Sequence, residues 1–179
     1  RKVIQDQLGL TNEQVAWSYK YDKGNGQMAV HTLDAKIEIA DIGDLERRGI
    51  VRNWIKKSAI ELGLPAARAA SLTGAAFEIR QGYKSADSKR QGADLRFGLR
   101  AYNDANLLPI ICIVSTQASD AVCRRYRDAT LLVLLGTTGG KLSTFVFFRD
   151  VVGYDLAKFF ERNTAKIRKE FTTIIKQLL

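Results

Sequence analysis

The sequence predicts an α/β fold with a mixed central sheet flanked by helices. In the second half, short apolar runs that read as buried strands alternate with amphipathic helical stretches, as at Leu107–Thr116 and Leu131–Gly136. That order is the one by which helices come to cover a sheet. The chain has 179 residues, 46% hydrophobic and 26% charged. That is enough for one core and short for two, so residues 1–179 read as a single domain.

Thr11 to Tyr21 reads as the first helix, with Thr11 as cap and Gln14 at the capping-box position. Gly24-Asn25-Gly26 is a turn, because glycine and asparagine tolerate positive φ. Met28 to Ile39 alternates loosely and reads as one or two strands. Asp44 caps a helix to Leu62, with Leu45, Ile50, Trp54, Ile55 and Leu62 on its apolar side and Arg47, Arg48, Arg52, Lys56 and Lys57 opposite. Gly63 and Pro65 stop it, and Ala66 to Ala76 reads as a small-residue segment with a short helix. Phe77 to Tyr83 is the next strand, with Phe77 and Ile79 on one face and Glu78 and Arg80 on the other. A helix follows from Asp87 or Ser88 to about Asn103, then the buried strand Leu107–Thr116. Ser119–Arg127 reads as a helix, Leu131–Gly136 and Ser143–Phe148 as strands, and Asp155–Leu179 as the last helix.

Charge narrows the class of partner. The chain carries 28 Lys+Arg against 19 Asp+Glu, a net charge of +9. Such a balance favours a polyanion, since each phosphate neutralised by Lys or Arg releases a condensed counterion. No apolar run approaches the ~20 residues that span a bilayer, so no membrane association or targeting segment is expected. Cys112 and Cys123 lack a second Cys or His nearby, which points to reduced thiols, a cytoplasmic location and no zinc site. The chain opens on Arg1 rather than methionine, which marks it as a candidate fragment or processed product.

The chemistry concentrates in FEIRQGYKSADSKRQGADLRFGLR, residues 77–100, where six basic residues from Arg80 to Arg100 surround Asp87 and Asp94. Basic groups at a strand end and along the first turns of a helix meet a phosphate backbone with both side chains and amides. Lys89, Arg90 and Gln91 are suited to phosphate and base-edge contact. Metal-dependent phosphodiester cleavage needs two or three carboxylates around magnesium and gains from a lysine beside the attacking water. Glu78 and Lys84 have suitable parity, yet six residues of straight strand span roughly 20 Å. They share a site only if Gly82 bends the chain. The straight-strand partner of Glu78 is Arg80, whose guanidinium stays protonated and cannot act as a general base. Asp94 in the following helix is the carboxylate able to approach Lys84. Asp34, Glu38 and Asp41 are the upstream acids, with Glu38 slightly preferred.

The run KSADSKRQGAD, a helix, and then LLPIICIVST resemble type II restriction endonucleases of the PD-(D/E)xK nuclease superfamily. The resemblance covers roughly residues 77–116. It implies a restriction-endonuclease-like fold, double-stranded DNA as partner and Mg2+ as cofactor. It further implies that Lys84 is the catalytic lysine and Asp94 the helix-borne metal ligand, and that Asp87, Lys89 and Arg90 belong to the recognition element. In the E-x-K form of the motif, Arg80 falls on the lysine position.

The expected function is therefore a Mg2+-dependent endonuclease. Glu78, Lys84 and Asp94 are catalytic, Glu38, Glu78 and Asp94 bind metal, and Asp87, Lys89, Arg90 and Gln91 contact DNA. A non-catalytic DNA-binding domain is the alternative. His31 has no Ser or Cys beside it for a triad and reads as structural. Gly136 to Lys141 lacks phosphate-loop spacing and reads as a hairpin turn. The last helix has more apolar surface than one face needs, including Phe159-Phe160 and Ile174-Ile175, which suits a homodimer on a palindromic site.

Overall fold

The computed structural model describes residues 1–82 and 88–178, and the side chains of Ser88 and Leu178 are not among the described groups. Helix α1 is Lys2–Leu8. A two-stranded antiparallel ribbon follows, β1 Ser18–Asp22 with β2 Met28–Thr32, closed at Gly24 and Gly26, both at positive φ. The main sheet has the order β3 Ala35–Glu38, β4 Gly74–Arg80, β5 Leu107–Ile113, β6 Leu132–Leu134. Strand β3 is antiparallel to β4, while β4, β5 and β6 run parallel, so the sheet is mixed. Between them run α2 Leu45–Glu61, α3 Ala66–Ser71, α4 Ser88–Asp104 and α5 Asp120–Asp128. After β6 come α6 Thr144–Val146, a π-helical stretch Phe147–Val152, and α7 Leu156–Leu178. Among the described residues no helix is long and apolar enough to cross a membrane.

The two faces of the sheet are built by strand parity. Ala75 and Phe77 of β4 and Leu108, Ile110 and Cys112 of β5 pack with α1, α2 and the π-helical stretch. Ala76 of β4 and Leu107, Ile111 and Ile113 of β5 pack on the other side with Phe97 and Ala101 of α4, Val122 and Tyr126 of α5, and Tyr19 of the ribbon. Glu78 and Arg80 share the parity of Ala76 and so point toward α4, α5 and the ribbon. Burial pushes the Cys112 thiol up to about 12, and Cys112 and Cys123 are both free thiols.

Three expectations are corrected. Thr11 and Gln14 do form the reciprocal capping box, Gln14 Oε1 accepting from Thr11 N at 2.8 Å and Thr11 Oγ1 from Gln14 N at 3.3 Å. It closes only one turn, because pairing across the ribbon, with Tyr19 opposite His31, claims the residues that would continue the helix. Ser143–Phe148 is helical rather than extended. Ser143 Oγ accepts from Val146 N at 3.1 Å, and Phe147, Phe148, Val151 and Val152 are buried at helical spacing. Arg47 of α2 anchors the π-helical stretch by donating to the carbonyls of Asp150 and Val151, each at 3.3 Å. A short apolar run does not reveal which period it follows. The Gly136–Lys141 loop is no hairpin turn: Leu135 and Ser143 form a parallel bridge, and the chain goes on into α6.

Phe97 is fully buried on the α4 side of the sheet. Phe97→Ala is expected to lower unfolding free energy by about 3–5 kcal/mol, as for other buried phenylalanines. Denaturant titration measures this, and a loss below about 1 kcal/mol would show that the face collapses around the gap.

Candidate functional site

The chemistry-bearing residues meet at the C-terminal end of β4. Glu78 and Asp94 are buried, at 4% and 0% exposure, and Arg80 lies between them. Its guanidinium donates from Nη1 to Glu78 Oε2 at 3.1 Å and from Nη2 to Asp94 Oδ1 at 2.7 Å. Strand parity places Glu78 and Arg80 on one face, and the run of α4 over that face delivers Asp94. The other carboxylate oxygens are also engaged. His31 Nε2 of β2 is hydrogen-bonded to Glu78 Oε1 at 2.5 Å, and the Tyr126 hydroxyl of α5 donates to Asp94 Oδ2 at 2.9 Å. The His31 ring is stacked on Tyr19, 5.3 Å between centroids and 6° between planes.

Asp34 completes the group from the start of β3. The register sets Ala35 opposite Phe77, so one further step sets Asp34 opposite Glu78. Its Oδ2 accepts from Ile79 N at 2.7 Å. The register depends on a close approach: a Cβ on Gly74 would stand 2.0 Å from the Ile37 carbonyl oxygen.

Electrostatics follow from this packing. Burial raises the Glu78 carboxyl above its ordinary range, more than the hydrogen bond from His31 and the charge of Arg80 pull it down, and Asp34 adds an upward push. For Arg80, burial works against the charge, but Asp94 and then Glu78 outweigh it, and the guanidinium is held more firmly protonated. Tyr126 is raised by burial and by the neighbouring Asp94 charge, so its hydroxyl remains a donor.

A polar cleft of about 640 Å³ opens beside this cluster, its described lining including Arg80, Gln81, Gly82, Arg90, Ser115 and Gln117. It lies at the C-terminal ends of the parallel strands β4 and β5, where α/β sheets commonly bind ligands. A second cleft, about 550 Å³, runs along the outer edge of β6 between α2 and α5 and is largely apolar. None of the carboxylates around Arg80 lines it.

The expected site residues separate into groups. Glu78 and Asp94 are brought together through Arg80. Glu38 is not with them: it pairs opposite Gly74, four residues along β4 from Glu78, about 13 Å at strand spacing, and its carboxylate lies 3.7 Å from Lys36. Of the three upstream acids, Asp34 is the one beside Glu78; Asp41 lies in the 3₁₀ turn after β3. Lys89 and Arg90 are exposed on the first turn of α4. Gln91 is corrected as a DNA contact: it is 2% exposed and accepts from Arg125 of α5, turned inward by helical spacing. Lys84 and Asp87 lie outside the described residues. His31, Arg80 and Tyr126 were not assigned to the site. The available signal was the Glu78-x-Arg80 parity.

The donor set suits a hard cation, being all carboxylate oxygen. As arranged it does not fit one: among the described residues no three His, Cys, Asp or Glu side chains surround a common point, and Arg80 fills the space between Glu78 and Asp94.

No protein-family model, curated protein or solved structure matches the chain.

A raised carboxyl value means that the folded chain holds the Glu78 proton more tightly than the unfolded chain does. The associated stability is full below the unfolded value of 4.5 and is lost as pH rises through the folded value. Melting temperatures of wild type relative to Glu78→Gln are therefore expected to fall as pH rises above 4.5. A flat or rising difference would contradict that sign.

Proposed function

We propose that this chain is an endonuclease acting on double-stranded DNA, of the restriction-enzyme type in the PD-(D/E)xK superfamily, with Mg2+ as its cofactor. The observation that carries the reading is the meeting of Asp34 and Glu78 across antiparallel strands, beside Asp94 of the next helix, with their partner Arg80 lining an adjacent polar cleft. Lys89 and Arg90 at the start of α4 extend the cationic rim along which a phosphate backbone would run. Lys84 is the residue proposed to assist the attacking water. Among the described residues the acids, as arranged, do not enclose an ion.

A second reading is DNA binding without cleavage. Arg80 favours it, because a permanent guanidinium already balances the acids that a metal would otherwise need. It predicts binding whose log affinity falls linearly with log salt and no metal-dependent product.

The same reading calls for a homodimer on a symmetric site. Support comes from α7, where Phe160, Ile167, Phe171 and Ile174 follow a coiled-coil-like spacing and Phe171 is 63% exposed.

Plasmid cleavage with Mg2+ separates the first two readings. Under the endonuclease reading Glu78→Gln and Asp34→Asn abolish nicking, and Lys84→Ala lowers its rate by roughly 100-fold or more. Undiminished cleavage by Lys84→Ala would remove that lysine from the mechanism. In sedimentation velocity, wild type is expected at twice the chain mass and Phe171→Glu at the monomer mass. A monomeric wild type would retire the dimer.

A further inference from the structure

We propose that the cleft along the outer edge of β6 binds an adenine nucleotide, its base bonded to the Val133 backbone and its phosphate held by Arg127 and Lys141. The site is separate from the Arg80 cluster and stands independently of the endonuclease reading.

The sheet ends one strand short of the helices that cover it. β6 is its last strand and pairs on one side with β5. Beyond the free edge, Ser58 and Glu61 of α2 form one wall, and Cys123 and Arg127 of α5 form the other. Hydrogen-bonding direction alternates along a strand, so one known position fixes its neighbours. Leu135 N donates to the Leu142 carbonyl and Leu135 O accepts from Thr144 N, each at 2.8 Å, both away from β5. Val133, two residues earlier, has the same parity, so its N–H and C=O also face the free edge. Among the described residues neither finds a backbone partner there. The Leu131 amide, at the outward position before it, is taken by the Tyr126 carbonyl at 2.8 Å. The free edge thus offers a single rung, closed by the chain itself at both ends.

A single rung selects a compact, planar ligand over an added strand, which would run into residues 142–144. A nucleobase presents a donor and an acceptor side by side in its plane. Lying in the plane of the sheet, it would rest its faces against the apolar lining, which includes Leu62, Leu131 and Leu135. Adenine suits such a lining best, because its ring carries no carbonyl to bury unpaired. The volume of about 550 Å³ is that of a small-ligand site. Charge supplies the other end. Among the described lining residues, Arg127 and Lys141 stand against one acid, Glu61. Lys141 Nζ lies 3.2 Å from Glu61, but these side chains are 76% and 40% exposed, and so open a pair contributes little. Gly139 and Gly140 line the same cleft, and their amides donate to no acceptor among the described residues. Backbone amides and cationic side chains are the donors that a phosphate takes.

The test is calorimetric titration of the full chain with AMP, GMP, adenosine and inorganic phosphate. AMP is expected to bind at least about tenfold more tightly than any of the other three. Lys141→Ala and Arg127→Ala each remove a charge-assisted bond, weakening AMP by about tenfold or more while leaving adenosine unchanged. Val133→Pro deletes the outward N–H, a change that an edge strand tolerates, and is expected to erase the preference for AMP over inorganic phosphate. Cys123 lines the cleft, whereas Cys112 is 1% exposed. Slowed alkylation of Cys123 by iodoacetamide when AMP is present therefore locates binding in wild type, and serves where Val133→Pro does not fold. AMP binding that leaves Cys123 unprotected overturns the site. Equal affinity for AMP, GMP and inorganic phosphate overturns the adenine assignment. No AMP binding at millimolar concentration overturns the proposal, as does a folded Val133→Pro that binds AMP like wild type. Protection of Cys123 by a short valine-rich peptide and not by AMP would give the edge to an added strand instead.

Discussion

A guanidinium wedged between two buried carboxylates holds the centre of this molecule together. Arg80 touches Glu78 on its own strand and Asp94 on the next helix, so one side chain fixes where α4 lies along β4. Buried acids without a cation are strongly destabilised, and removing one member of such a group costs about 3–5 kcal/mol. Hydrogen bonds from the surroundings support the group: His31 meets Glu78, the Ile79 amide donates to Asp34, and the Tyr126 hydroxyl donates to Asp94. Burial, with the neighbouring Asp34 adding to it, raises the Glu78 carboxyl above its ordinary range.

The same strand that carries the charges also carries the core. On β4, Ala75 and Phe77 pack beneath α2, while Ala76, Glu78 and Arg80 face the other layer. Alternation therefore lets one strand be apolar on one side and increasingly polar toward its end on the other. Flanked by β3 and β5 and tied through Gly74 to the Ile37 carbonyl, it leaves Glu78 little freedom to drift. A site on a central strand of this kind is positioned by the whole sheet and not by a loop.

The elements legible in the sequence were those with a strong period or an unambiguous stop. Asp44 caps α2 as expected, its carboxylate accepting from Arg47 N at 2.8 Å, and β5 is buried on both faces. The capping box at Thr11 and the apolar run after Ser143 misled because each is a local signal that tertiary pairing reassigns. The candidate site was half legible. Parity put Glu78 and Arg80 on one face, and the return of α4 suggested Asp94. What parity cannot supply is the register between strands distant in sequence. That register brings Asp34 rather than Glu38 to Glu78, and it depends on a clash-free approach at Gly74 visible only when the two backbones are set side by side. Gln91 failed for a related reason: the basic run around it looked uniformly exposed, whereas helical geometry turns one position in it toward Arg125.

The charge distribution joins these observations. The chain is +9 overall, yet its buried centre is acidic. A polyanion is attracted to the surface and repelled from that centre, and a cation has the opposite preference. At the boundary stands Arg80, able to satisfy either side through the same donor edge. Lysine would present a point charge there, and an apolar residue would leave the acids uncompensated. Arginine at this position thus meets two buried acids through one planar donor edge, from a strand and a helix at once.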